Sequence, residues 1–148
     1  VLCDSDPLKL HYSWCLARIG AAPWSRFEHE LHGVRTAFAT GRLGMADLVL
    51  ISIPPLEVLR QQKDGDPTRR RRTFDLHARL AGPLREWYSA LAEVDPDRVV
   101  WSFPATGVPT SVSARARRSD TDVLDRLLTN LPTVGHRTRA PRPGTTST

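Results

Sequence analysis

Two groups of residues in this sequence have the types and spacing to do chemistry. The first is "DSD", with Asp4 and Asp6 flanking Ser5. Where a strand gives way to a helix, one such carboxylate can hold a hydrated Mg²⁺ while the other orients or deprotonates an acceptor hydroxyl. The same residues also read as a turn at Asp4 and a helix N-cap at Asp6, with Pro7 at the first helical position. The second group is "RQQKDGDPTRRRR", where Arg60 and Lys63 stand three apart, as do Arg69 and Arg72. Residues three apart share a helix face. Two short helices would then present cations on both sides of a Gly-containing flap, which suits the clamping of phosphoryl oxygens. A solvated helical face and a nucleic-acid patch are the competing readings of 69–72.

Other polar clusters point less clearly to chemistry. "HELHG" spaces His29 and His32 three apart, where a zinc metalloprotease helix needs four. His77 falls among core-facing residues and reads as packing. No stretch matches the phosphate-loop pattern G-x-x-x-x-G-K-[ST].

The elements that must position these groups alternate. "VLCD" reads as a short buried strand, and the helix after it should start at Asp6-Pro7 and stop at Gly20, with Leu8, Tyr12, Cys15 and Ile19 on its core face. Ser25 and Glu28 form a capping-box pattern ahead of the stripe Phe27, Leu31, Val34, Phe38. "ADLVLISI" (46–53) is a continuous apolar run closed by Pro54-Pro55, the pattern of a parallel strand buried on both faces. A short helix precedes the flap. A longer one should run from Asp66 through Leu91, kinked or broken at Pro83. "RVVWSF" (98–103) reads as a further strand and 119–131 as a last amphipathic helix. Strands alternating with helices, without hairpin signals, predict an α/β domain with a parallel sheet flanked by helices, whose ligands lie beyond the strand C-termini. From Pro132 the composition turns to Pro, Arg, Thr, Ser and Gly, so 132–148 is expected to be a disordered basic tail behind a domain over 1–131.

The 148 residues suit one domain. Net charge is +5, and the excess is local: 60–72 hold six cations against two anions, and 132–148 hold three cations and no anion. Such patches suit polyanionic ligands. Cys3 and Cys15 read as free thiols of a reducing cytoplasm. There is no secretory leader pattern and no apolar run long enough to span a membrane.

In combination, "DSDP", "LVLISIPP", "LEVLRQQK", "GDPTRRRR" and "VVWSF" resemble the small-molecule and nucleoside/nucleotide kinase group of P-loop NTPases, the shikimate- and gluconate-kinase type. The resemblance implies a three-layer α/β/α domain, ATP and Mg²⁺ as cofactors, and a small-molecule or nucleoside hydroxyl as phosphate acceptor. Asp4 and Asp6 would match the acidic pair that faces the acceptor, Asp4 also holding Mg²⁺ indirectly. Arg69 and Arg72, with Arg60, Lys63 and Arg70, would match the arginine-bearing LID (about 60–73) that closes over ATP. Arg35 would match an acceptor-binding arginine, and "VVWSFPATG" the segment beside the adenine. The strand, phosphate loop and first helix of that group have no counterpart here, and Val1 opens directly into an apolar strand. The resemblance therefore implies the C-terminal part of such an enzyme, incomplete at its N-terminus and inactive alone. A non-catalytic basic domain binding nucleic acid through 69–72 and the tail is the alternative.

A phosphate loop supplies the N–H cradle, the lysine and the Mg²⁺-binding hydroxyl. The isolated 148-residue chain should therefore give no micromolar binding of Mg·ATP in calorimetric titration. Micromolar binding would mean that another part of the chain holds phosphate.

Overall fold

The computed structural model describes residues 2–64 and 74–133. Residues 65–73 of the expected LID (about 60–73) and most of the expected disordered tail, from 134 on, lie outside the described residues. The rest is mostly helical: α1 (Leu10–Arg18), α2 (Trp24–Ala39), β1 (Val49–Leu50), α3 (Leu56–Asp64), α4 (Phe74–Arg79), α5 (Ala81–Val94), a 3₁₀ turn (Pro96–Arg98), β2 (Val99–Val100) and α6 (Asp122–Asn130).

This overturns the expected three-layer α/β domain with a parallel sheet flanked by helices. Among the described residues there is one two-stranded parallel pair, with Val49 opposite Val99 and Leu50 opposite Val100. One further bond, from Ile51 N–H to the Val100 carbonyl at 2.9 Å, ends the ladder. The run 46–53 was expected to be buried on both faces, but Val49 and Leu50 are half-buried. A continuous apolar run does not by itself distinguish a central strand from a short pairing inside a helical packing. Here its ends are committed elsewhere: Ala46 and Asp47 to arginines, and Pro54 and Pro55 to a helix start, where proline has no N–H to pair. On the partner side Trp101, Ser102 and Phe103 are exposed, so the expected strand over 98–103 shrinks to two residues.

Helix α1 starts three residues later than the Asp6-Pro7 signal implies. Asp6 to Lys9 form a turn, closed by Lys9 N–H to the Asp6 carbonyl at 3.1 Å, and the Asp6 side chain accepts the Leu8 N–H at 2.9 Å. Lys9 then takes a left-handed φ of 56°, which a right-handed helix cannot pass through. The helix ends at Gly20 (φ 74°) in a Schellman motif: Gly20 N–H meets the Ala17 carbonyl at 3.0 Å and Ala21 N–H the Leu16 carbonyl at 2.8 Å. Tyr12, expected on the core face, is exposed; Leu10, Trp14, Cys15 and Leu16 are buried. At α2 the Ser25–Glu28 box makes no cap bond, because Pro23 takes the N-cap position. Of the long helix expected over 66–91, the described residues form two helices, and the break falls at Leu80 and not at Pro83. Pro83 falls in the first turn of α5, where the missing N–H has no helical partner to lose.

The core forms around α5. Trp87 is 2% exposed and meets Trp14 of α1 at a centroid distance of 5.8 Å and Phe27 of α2 edge-on at 6.5 Å. Leu124 and Leu127 bring α6 into the same cluster with no exposed surface.

The loop before α6 is held by arginines. Buried Arg98 donates from Nε to Asp95 at 3.1 Å and from Nη1 to the Ala46 carbonyl. Arg115 donates from its backbone N–H to Asp47 Oδ1 at 2.8 Å and from Nη1 to Asp95 at 2.9 Å, while Arg118 Nε meets Asp47 Oδ1 at 2.8 Å. Met45 N–H closes on the Arg118 carbonyl at 2.8 Å. The loop lies so close that a Cβ on Gly44 would stand 2.8 Å from Arg118 backbone atoms, so only glycine fits.

Burial acts to raise the Asp47 carboxyl, but the Arg115 N–H and the Arg118 charge outweigh it and hold the group below the ordinary aspartate range. A depressed carboxyl contributes stability that is present above its unfolded value, about 3.9, and is lost as pH falls through the folded value. Asp47→Asn should therefore lower the urea midpoint at neutral pH, and its difference from wild type should shrink below about pH 4. A difference independent of pH would assign the effect to shape and not charge.

Candidate functional site

Asp6 is the sequence-predicted site residue that the fold builds around. Its Oδ1 is held by the Leu8 N–H, and the side chain is 14% exposed. Its Oδ2 faces the Tyr88 hydroxyl of α5 at 3.5 Å and His11 Nδ1 of α1 at 3.7 Å. The His11 and Tyr88 rings lie 5.8 Å apart, tilted by 43°. Burial lowers the affinity of His11 for a proton, against the opposing pull of Asp6. Burial first, and then the Asp6 charge, push the Tyr88 phenol far up, so it stays a hydroxyl donor. The sequence offered no sign of either partner: Tyr88 lies 82 positions from Asp6, and His11 belongs to no motif.

One turn of α5 links this carboxylate to the strand pair. Arg85, three residues before Tyr88, donates from Nη2 to the Ile53 carbonyl at 3.3 Å, where the chain leaves β1. Residues three apart lie on one helix face. The Asp6 turn and the chain three residues past β1 thus both bond to the same stretch of α5. A second α1–α5 tie, a fork from Arg18 Nε and Nη2 to Glu86 at 3.1 and 3.3 Å, holds the two helices in register.

The remaining expected site residues are scattered or outside view. Asp4 is exposed on the segment before the turn. Among the described residues no group of three or more His, Cys, Asp or Glu could hold a metal ion. Arg35 of α2 does not reach Asp6. It pairs with Asp125 of α6 at 2.6 Å and joins those helices. Arg60 is exposed on α3, Lys63 falls in the last turn of the same helix, and Arg69, Arg70 and Arg72 lie outside the described residues. His29 and His32 are exposed, as is His77, which was expected to pack inward; Phe74 takes the buried position on α4. Among the described residues no helix is long and apolar enough to cross a membrane. No family model, curated protein or solved structure matches the chain.

Chemically, Asp6 is a carboxylate fixed by a backbone donor and a phenol, with capacity left to accept a hydrogen bond from a bound hydroxyl. Its neighbour Cys15 is not a nucleophile. Burial, aided by the Glu86 charge, pushes the thiol up to about 12, and it has no exposed surface. Cys3 is exposed. Alkylation of the native chain at neutral pH should modify Cys3 alone, with Cys15 reacting only after denaturation. Native modification of Cys15 would show that the α1–α5 packing opens readily.

Proposed function

We propose that this chain is part of an ATP-dependent phosphotransferase acting on a hydroxyl of a small molecule or nucleoside. The observation that favours this reading is the Asp6 carboxylate itself, held by the Leu8 N–H and facing the Tyr88 hydroxyl of α5. A carboxylate fixed in this way, with lone-pair capacity to spare, suits an acceptor hydroxyl. The resemblance to small-molecule and nucleotide kinases, carried by the order of the acidic turn, the apolar strand and the arginine run, supports the same reading.

In this reading Asp6 orients the acceptor hydroxyl and takes its proton. Arg69 and Arg72, with Arg60, Lys63 and Arg70, neutralise the transferring phosphoryl group, whose charge is spread over three oxygens. Mg·ATP supplies that group when bound. The described residues build no cradle for the ion, so no step is assigned through it. Arg35 stays with Asp125 and serves packing. Both cysteines are free thiols, which accords with the reducing cytoplasm in which ATP is used.

The nucleic-acid reading draws on Trp101 and Phe103, which are exposed and could stack on bases. It is weakened by the arginines on either side in the sequence: Arg98 and Arg115 are tied to Asp95, and Arg118 to Asp47.

Asp6→Asn in the full-length protein tests the proposal. Asparagine can still accept the Leu8 N–H but cannot take a proton. Phosphoryl transfer should fall by about 10²- to 10⁴-fold, the usual share of a general base, with ATP affinity unchanged. Retained turnover would reduce Asp6 to a turn residue, and equal loss of affinity for ATP and for random-sequence DNA would favour the nucleic-acid reading.

A further inference from the structure

His11 has no role in the scheme above, yet its Nδ1 is a buried polar atom with no hydrogen-bond partner. Such atoms are uncommon in folded proteins and call for a reason. The nearest acceptor is Asp6 Oδ2 at 3.7 Å, too far for a hydrogen bond but within reach of a closure of less than an ångström. The other titratable groups around the ring do not compete for it. Tyr88, on α5, turns its hydroxyl to the same Asp6 oxygen. Cys15, one turn along α1, remains a thiol, and Glu86 is engaged by Arg18.

We propose, resting on the phosphotransferase reading, that His11 is a positioning residue for Asp6: its Nδ1–H donates to Oδ2 and, with the Tyr88 hydroxyl, aims the carboxylate at the acceptor. The two oxygens of an ionised carboxylate offer about four lone-pair positions. The Leu8 N–H takes one on Oδ1, and Tyr88 and His11 take both on Oδ2. A single position then remains, on Oδ1, and an incoming hydroxyl has one direction from which to bind. Burial keeps the His11 ring neutral near pH 7. A neutral imidazole carries one N–H, and the partner within reach decides which nitrogen bears it. With a carboxylate facing Nδ1, the hydrogen belongs there and Nε2 is left bare.

The tautomer is measurable without any activity. Long-range ¹H–¹⁵N correlation of the labelled chain at neutral pH, with His11 assigned by His11→Asn, should show Nδ1 as the protonated nitrogen. A bare Nδ1 with the hydrogen on Nε2 would overturn the contact. In the full-length enzyme, His11→Leu should lower kcat by about tenfold, the rate equivalent of one charge-assisted hydrogen bond, with KM little changed. His11→Asn, whose amide N–H₂ stands near the Nδ1 position, should restore most of it. Full turnover in His11→Leu would overturn the positioning role. A wild-type protein that shows the Nδ1–H tautomer but transfers no phosphoryl group to any hydroxyl would overturn the phosphotransferase reading, and the role given to His11 with it.

Discussion

Helix α5 has to satisfy three surroundings at once, and the rest of the molecule is arranged to let it. Trp87 points into the core against Trp14 and Phe27. Tyr88, the next residue, meets Asp6, and Arg85 meets the chain leaving β1. An α-helix turns 100° per residue, so adjacent residues can serve different neighbours while the backbone stays rigid. The placement of Asp6 therefore depends on the tryptophan packing. Truncating a buried tryptophan to alanine costs about 3–5 kcal/mol, a large share of the stability of a domain this size. A change that loosened Trp87 would blur the geometry around Asp6 before it unfolded the chain.

The strand pair has a different problem. Two strands of two residues cannot hold themselves together, and among the described residues there is no third. The arginines before α6 supply what a neighbouring strand would have supplied. Arg98 and Arg115 satisfy the carbonyls of Ala46 and Asp47 on the β1 side and share Asp95 just before β2. Taking a guanidinium out of water is expensive unless it is paired and hydrogen-bonded. Arg98, 4% exposed, has both a carboxylate and a carbonyl. The clamp fixes the residues that enter the pair, while Arg85 bonds the Ile53 carbonyl on the chain that leaves it.

What could be read from the sequence was local. The stripe Phe27, Leu31, Val34, Phe38 repeats at helical spacing and faces the core, and Gly20 marks the end of α1 because few other residues adopt its left-handed backbone. What misled was also local. Asp6-Pro7 carries every mark of a helix start, but the Asp6 side chain closed a turn of its own and Lys9 reset the start to Leu10. The apolar run 46–53 carries the mark of a central strand, yet the pattern does not encode whether partners exist on either side. Pairings across the fold left no trace at all. His11 and Tyr88 look ordinary in sequence, and so do Arg115 and Arg118, whose partners Asp47 and Asp95 lie far along the chain.

The pairing of these arginines bears on where the charge of the protein acts. In the described residues the arginines largely have carboxylates or carbonyls to bind: Arg18 with Glu86, Arg35 with Asp125, Arg98 and Arg115 with Asp95, Arg118 with Asp47, Arg79 with the Ile19 carbonyl. A paired guanidinium contributes little field at a distance, and salt screens what remains over about 10 Å. The excess of +5 is accounted for by two stretches, 60–72 and 132–148, which together hold nine cations and two anions. Any attraction of a polyanion therefore rests on those stretches, while Asp6 lies outside them, among a backbone N–H, a phenol and an imidazole. For the phosphoryl transfer proposed above, separating the two has a physical advantage. Cations beside Asp6 would stabilise its ionised form and weaken it as a proton acceptor, whereas cations on a separate segment can meet the phosphate without that cost.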